Sequence, residues 1–445
     1  MKFEKIKEIL FEAAKEAELT EFDIYYCLTD DQSAEALNGQ MNSCSSGVSG
    51  GVCFRCAVDG RVGSAATQCM EKEKLEALVA RAMANAAVTD ADEEPIFFAG
   101  ATAADYQKIN VKIPELPGVA TLRQTAMTLQ EKLYAENDMM TDGTASGAGA
   151  TRRTVALANS KGLSLSSETG AVYTYVEPII NDGNEPSYGM GMAATLDTDS
   201  GIVKKATDEA LSRLGAGLVK TGTYDVIFDA RQVRSLLAAH RSIFSGKAAL
   251  QGLSLLAGKV GEQVAAECLT LVDDPFYAEN TVQCPFDAEG VPTREKILIE
   301  KGVLKTLLYD LTTAKKAGVE STGNAVRGYA DPVAIAPYCL RIEKGNETCD
   351  ELITRMGNGL YITELKGLHA GANAVTGDFS IESAGFLVED GKITKPVHSF
   401  TVAGNFFDLL KAIDGVADNV QMGLPGTSII AAPDVLVRNL SVAGE

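Results

Sequence analysis

The chain has 445 residues, with 60 acidic and 40 basic side chains and a formal net charge of −20. That charge is distributed over both halves of the chain; it favours solubility and repels phosphate backbones, which argues against nucleic acid as a partner. Apolar residues make up 46 % of the sequence, enough for large cores and incompatible with disorder, and the length predicts two or three domains.

Residues 4–17 place Ile6, Ile9, Leu10 and Ala14 at helical spacing between charges, which predicts an amphipathic helix rather than a signal peptide or a spanning segment. No apolar run anywhere approaches the roughly 18 residues that a bilayer crossing needs, so no membrane role is expected. A strand is predicted at 22–28, and a strand-like stretch over 45–66 with a turn at Asp59-Gly60. Helices follow at 72–87 and 121–135, joined by a surface connection over 88–117. Short alternating segments at 154–158 and 171–176 predict antiparallel strands, while the glycine-rich stretches 47–51 and 143–150 read as turns. A helix over 203–214 stops at Gly215, and residues 215–222 are the expected domain junction. Beyond it come a strand at 224–228, a helix over 232–244, and short strands after residue 265. The expected fold is α+β with two domains, an N-terminal α/β domain over 1–220 and a predominantly β domain over 221–445.

Nine scattered cysteines argue for reduced thiols and a cytoplasmic location. Cys53 and Cys56 form a C-x-x-C pattern, but on a strand residues three apart face opposite ways, so they are expected to pack on either side of a sheet. The three histidines, His240, His369 and His398, show no metal-ligand spacing. His240 falls on the apolar stripe of the 232–244 helix beside Arg241, which favours a core or interface position over a ligand. His369 and His398 could each serve as a general base, with no partner assignable from sequence. The pairs Asp273-Asp274 and Glu93-Glu94 sit in turn-like contexts and are expected to be solvated. Neither a phosphate-binding loop nor a nucleophile elbow is present.

Several segments carry a family resemblance. They are Pro285-Phe-Asp-Ala-Glu-Gly-Val-Pro-Thr-Arg294, the run from Ile297 to Tyr309, Ser321-Thr-Gly-Asn324, Gly357-Asn-Gly-Leu-Tyr-Ile-Thr-Glu-Leu365, the run from Thr376 to Phe386, and the run from Gly391 to Asn405. With Gly50-Gly-Val-Cys-Phe-Arg55 and Asp59-Gly-Arg-Val-Gly63 in the first half, the chain resembles the TldD/PmbA family, also called the modulator-of-DNA-gyrase family.

The resemblance implies cytosolic proteins that pair to enclose a chamber in which unfolded peptides are cleaved. In the catalytic TldD branch it implies an H-E-x-x-x-H helix and a later cysteine around zinc, with the glutamate activating the metal's water. This sequence departs from that pattern. With His240 on the first ligand, the base position holds Arg241 and the second ligand position holds Ser245, and the stretch from Met422 to Ser428 has no cysteine. The chain is therefore closer to the TldE/PmbA branch. The implied role is a non-catalytic subunit with no cofactor of its own, zinc being expected in a TldD-like protease partner, and with unfolded peptide as the substrate. In the absence of that partner a homodimer is expected. Peptide capture is expected to use pairing at a strand edge, and Asn373, Thr376, Asp378 and Ser380 are the candidate chamber-facing residues. The same four residue types also suit turns and strand ends, and that reading stays open. Two further alternatives are an active peptidase with an atypical site built on His240, His369 or a cysteine, and a regulatory protein that binds DNA gyrase.

Overall fold

The computed structural model describes residues 1–90 and 96–445; Glu93 and Glu94 lie outside the described residues. The first half is one antiparallel sheet with helices on one side. Its main strands are β1 (Phe22–Leu37), β2 (Gln40–Val58), β3 (Arg61–Thr67), β4 (Ala145–Asn159) and β5 (Ser164–Glu177). They run in the order β3-β2-β1-β4-β5, with the short strand Gly191–Ala193 beyond β5. Helices α1 (Phe3–Glu16), α2 (Lys72–Ala86) and α3 (Val119–Glu136) cover one face, and α4 (Ile202–Ser212) follows.

Period-two alternation sorts the sheet's side chains. Ile24, Tyr26, Val52, Phe54, Cys56 and Ala156 pack under Ile6, Leu10, Leu75 and Leu78 of α1 and α2. Further along the same face, Ala34, Ala36, Ala148 and Ala150 meet Leu122 and Ala126 of α3. Tyr25, Cys27, Cys53 and Leu157 point the other way and pack on Ala288 and Ala325 of the second half. Cys53 and Cys56 thus sit on opposite faces, and burial pushes the Cys56 thiol up to about 11.

The glycine-rich stretches are strand, not turn. Residues 47–51 lie inside β2 and residues 145–150 inside β4. The tyrosines of β5 give the reason: a Cβ at Gly147 would strike the ring of Tyr175, and one at Gly149 the ring of Tyr173. The absent side chains make room for aromatic rings lying across β4.

The second half contains two six-stranded sheets and a two-stranded one, Ala325–Val326 with Ala334–Ile335. One is a ring of strands in the order Lys392–Asn405, Asp378–Glu389, Gly359–Lys366, Gly222–Phe228 and Val435–Ala443. It closes where Thr401–Ala403 pair with Ser441–Ala443. The other has the order Val303–Leu304, Lys296–Glu300, Leu271–Asp273, Cys339–Ile342, Ile429–Ala432 and Gln421–Met422. Helix α5 (Ala230–His240) packs against both, and the largest core lies around it: Phe228, Val233, Leu236, Leu237, Leu271, Leu340, Phe379, Phe400 and Phe406 are all buried there. Asp273 departs from the sequence expectation. It is fully buried, because its carboxylate accepts from the backbone N–H groups of Tyr338 (2.8 Å) and Cys339 (2.9 Å), from Asn324 Nδ2 (2.7 Å) and from Lys296 Nζ (3.1 Å). Those partners satisfy a group that would otherwise be costly to bury. No described helix is long and apolar enough to cross a membrane.

Candidate functional site

Helix α5 begins at Asp229, whose side chain accepts from the Gln232 backbone N–H at 2.8 Å, a standard N-terminal cap. It ends at His240, which has 0 % exposure. The ring Nδ1 is 2.9 Å from the Leu236 carbonyl oxygen, and the ring lies parallel to that of Phe406 with centroids 4.1 Å apart. Burial lowers the pKa of this imidazole, which favours its neutral form. The chain then tightens into a 3₁₀ turn, Arg241–Phe244, and Ser245 caps a separate short helix by accepting from Ala248 N–H. His240 and Ser245 therefore do not share one continuous helix. Arg241 reaches Ser428 Oγ at 3.4 Å, joining this element to the stretch from Met422 to Ser428.

The side chains these positions offer are one stacked imidazole, one guanidinium and two hydroxyls, which do not converge. A guanidinium repels a cation, and hydroxyls are poor zinc ligands beside thiolate or imidazole. Among the described residues, no group of three or more His, Cys, Asp or Glu side chains could hold a metal. The residues at these positions do not fit zinc.

The candidate peptide-facing residues form a turn leading into the strand Asp378–Glu389. Asn373 Oδ1 accepts from the N–H groups of Val375 (2.9 Å) and Thr376 (3.3 Å), and Thr376 Oγ1 accepts from Asp378 N–H (3.2 Å). Asn405 Nδ2 donates to the Thr376 carbonyl and to Asp378 Oδ1, each at 2.9 Å. The bonds from Asn405 and Thr376 hold the Asp378 carboxyl below its ordinary pKa. Ser380 is exposed on the strand, opposite Ala403. Phe406 links this turn to α5: its N–H donates to the Gly377 carbonyl at 2.7 Å while its ring stacks on His240. Asn373, Thr376, Asp378 and His240 are thus brought into one neighbourhood, with their polar atoms largely engaged locally. Arg241 and Ser245 are directed elsewhere. His369 is exposed on the short helix Leu368–Gly371, and His398 bonds Ser399 Oγ through Nδ1 at 2.8 Å, so the three histidines do not converge.

Open volume lies at the junction of the two halves. A cavity of about 590 Å³ is walled by the exposed end of the Tyr25–Leu157 face and by the segments Cys284–Ala288 and Ala325–Gly328. A second cavity, of about 540 Å³, shares Arg153, Thr169, Gly328, Asp331 and Thr427 with it. Strand register puts Arg153 opposite Thr169 and Val155 opposite Ser167, so these four residues of β4 and β5 point into the same space.

Behind this wall runs a buried charge network that crosses the junction. Asp23 of β1 accepts from Arg55 Nε at 3.0 Å and from Arg327 Nη2 at 3.4 Å, and Arg55 also faces Glu289 at 3.6 Å. Despite its burial, the two cations hold the Asp23 carboxyl below its ordinary range. Asp287 accepts from the N–H groups of Glu289 (2.9 Å), Val291 (3.0 Å) and Ala325 (3.0 Å), and burial together with Glu289 pushes its pKa up. Tyr25 Oη donates to the Arg327 carbonyl at 3.0 Å, and the Arg327 guanidinium lies 4.3 Å over the Tyr25 ring. Sequence reasoning did not single out Arg153, Ser167, Asp287 or Arg327. The available signals were an arginine pair inside a strand of small residues and the acidic segment Asp287-Ala-Glu289.

Comparison with known proteins bears on the whole chain. Models of the PmbA/TldA metallopeptidase match in three parts: domain 1 over residues 22–86, the central domain over 114–214 and the C-terminal domain over 221–444. A metalloprotease of Methanothermobacter thermautotrophicus is 29 % identical over 65 % of this chain and 67 % of its own length. Metalloprotease PmbA of Escherichia coli O157:H7 is 32 % identical over 58 % of this chain and 54 % of its own, so the match spans about half of that relative. Among solved structures, a Thermotoga maritima protein described as a candidate modulator of a DNA gyrase is 31 % identical, with a TM-score of 0.89 over 99 % of this chain and 100 % of its own. TldE from Thermococcus kodakarensis is 25 % identical, with a TM-score of 0.87 over 99 % of this chain and 100 % of its own.

Proposed function

The chain belongs to the PmbA/TldA metallopeptidase family, and on that premise we propose that it is a non-catalytic, TldE-like subunit. It pairs with a TldD-like zinc metallopeptidase and helps to enclose and hold the unfolded peptide that the partner cleaves or matures. The observation that carries this reading is the state of α5: its imidazole is stacked on Phe406 and bonded to Leu236, and a cation stands where a hydrolase of this kind needs its base. A further support is the outer edge of β2. Among the described residues no strand pairs there with residues 40–51, since β3 pairs only from Val52 to Val58, and no charged residue falls between Ala36 and Phe54. An open, uncharged edge suits backbone pairing with peptides of many sequences.

The test combines metal analysis of the purified chain with casein cleavage, measured alone and with a TldD-like partner. The expected result is no stoichiometric zinc, no cleavage by the lone chain, and cleavage when the two are mixed. Zinc retained at one per chain together with cleavage by the lone chain would overturn the proposal in favour of an atypical peptidase.

A further inference from the structure

The segment from Ala230 to Gly261 runs against the charge of the rest of the chain. It holds Arg231, Arg234, Arg241, Lys247 and Lys259 and no acidic residue, in a protein whose net charge is −20. Arg231 pairs with Glu209 at 3.1 Å, and Arg234 is partly buried. Arg241, Lys247 and Lys259 are exposed, and among the described residues no carboxylate pairs with any of them.

The same segment holds apolar side chains out in solvent. Leu250, Leu253, Leu255 and Val260 are exposed by 48–55 %, whereas the other large exposed apolar residues among the described ones are scattered singly along the chain. Their exposure is built in. Between them Ser254 and Leu256 are buried: Ser254 Oγ donates to the Ile243 carbonyl at 2.6 Å, and Leu256 belongs to the main core of the second half. Leu253 N–H donates to the Ala248 carbonyl and Gly261 N–H to the Leu304 carbonyl, each at 2.8 Å. The 3₁₀ turn Arg241–Phe244, the short helix Gly246–Leu250 and residues 251–261 thus form one anchored unit directly after α5, with Leu253 and Leu255 held outward. Clustered leucines fixed in solvent beside unpaired cations mark a surface that another molecule covers.

We infer that this surface is where the TldD-like catalytic subunit docks, through an apolar patch rimmed by Asp and Glu. Charge decides between occupants. Two copies of this chain meeting across a two-fold axis would set Arg241, Lys247 and Lys259 against the same three cations. An anionic membrane repels a chain of −20, and the segment offers no exposed Phe, Tyr or Trp to sit at a lipid interface, Phe244 being buried. A different chain with acidic residues around apolar ones satisfies both features at once. The inference rests on the pairing proposed above and names the surface that makes it.

The test measures binding of the full chain to a TldD-like subunit from the same organism by surface plasmon resonance, with no peptide present, so it reads pairing and not cleavage. Leu253→Ser combined with Leu255→Ser is expected to weaken pairing at least about tenfold. Lys247→Glu combined with Lys259→Glu should slow association severalfold at low salt, and the difference should vanish at about 1 M salt. Ile393→Ser, which alters a comparably exposed residue on another element, should bind as the parent does, and urea unfolding should be parental in all three variants. Parental pairing in both surface variants, or an equal loss in Ile393→Ser, would overturn the surface and leave the pairing itself standing. Absence of pairing by the parent would overturn the proposed function and the surface with it. Co-sedimentation of the parent with phosphatidylglycerol vesicles, or a parental dimer in light scattering, either one abolished by the leucine substitutions, would also overturn the proposal, in favour of a membrane or of a second copy.

Discussion

At the end of α5, His240 is enclosed: its ring is stacked on Phe406, its Nδ1 is bonded to Leu236, and its exposure is nil. At the junction, Arg153 is held by bonds to Cys27 Sγ, Tyr25 Oη and the Arg327 carbonyl, yet it lines two open cavities. Both regions place polar groups among apolar neighbours. The difference is whether packing has consumed the space in front of them. A group buried by its own core has become structural, whereas one beside an empty cavity keeps a capacity for a ligand. In this chain the imidazole at the end of α5 is enclosed by core, and the open volume lies at the junction.

The comparison can be broken most directly at the charge network behind the cavity. Asp23→Ala leaves the Arg55 and Arg327 guanidinium groups buried without their shared carboxylate. It is expected to cost about 3–5 kcal/mol in urea unfolding. A loss under about 1 kcal/mol would mean that the junction is not held by these charges.

A smaller effect is expected at the start of α5. Burial raises the Asp229 carboxyl to about 6 from its ordinary 3.8. The folded chain therefore binds this proton more tightly than the unfolded chain. The resulting contribution to stability is full below about pH 4 and is lost as pH rises through about 6, an effect of about 1–3 kcal/mol. Asp229→Asn keeps an acceptor for the Gln232 N–H but does not ionise. Relative to the parent, its melting temperature should therefore rise between pH 4 and pH 7, and a constant gap would disprove the assignment.

The smallest change is expected at His240→Leu. The replacement is similar in volume and removes an Nε2 that has no partner among the described residues, so stability should move by less than about 1.5 kcal/mol. Stimulation of a TldD-like partner should be unchanged. Loss of stimulation with stability intact would return α5 to a functional role and reverse the comparison.

The helices were the most legible part of the sequence, because Ile6, Leu10, Leu75, Leu78, Leu122 and Leu129 repeat at helical spacing and all are buried as that spacing implies. The strands were legible only in part. The pattern that places 22–28 in a strand fades in the rest of β1, which runs to Leu37 with mixed burial. Gly147 and Gly149 read as turn residues because the cause of their use, the rings of Tyr173 and Tyr175, lies on another strand. Asp273 read as solvated for the same reason, its partners Asn324, Tyr338 and Cys339 being 51 to 66 positions away. The junction cavity is assembled from β1, β4, β5 and two loops of the second half, and no local pattern marks such a convergence. The segment from Pro285 to Glu289 was visible as a family feature, without any sign that Asp287 and Glu289 would be buried carboxylates.

The closed ring of the second half also constrains how this protein is made. Its first strand, Gly222–Phe228, pairs with Val435–Ala443, and Gly444 N–H reaches Thr221 Oγ1 across 223 positions. While the chain is being synthesised, Gly222–Phe228 can pair on one side once Gly359–Lys366 emerges, but its other side must wait for almost the whole remaining length. The first sheet needs nothing beyond residue 193 for its pairing. Non-local closure of this kind folds slowly and leaves unpaired edges exposed in the meantime. The order of events on the ribosome is thus written into the strand register: an early, self-contained sheet, then a ring completed by its last stave.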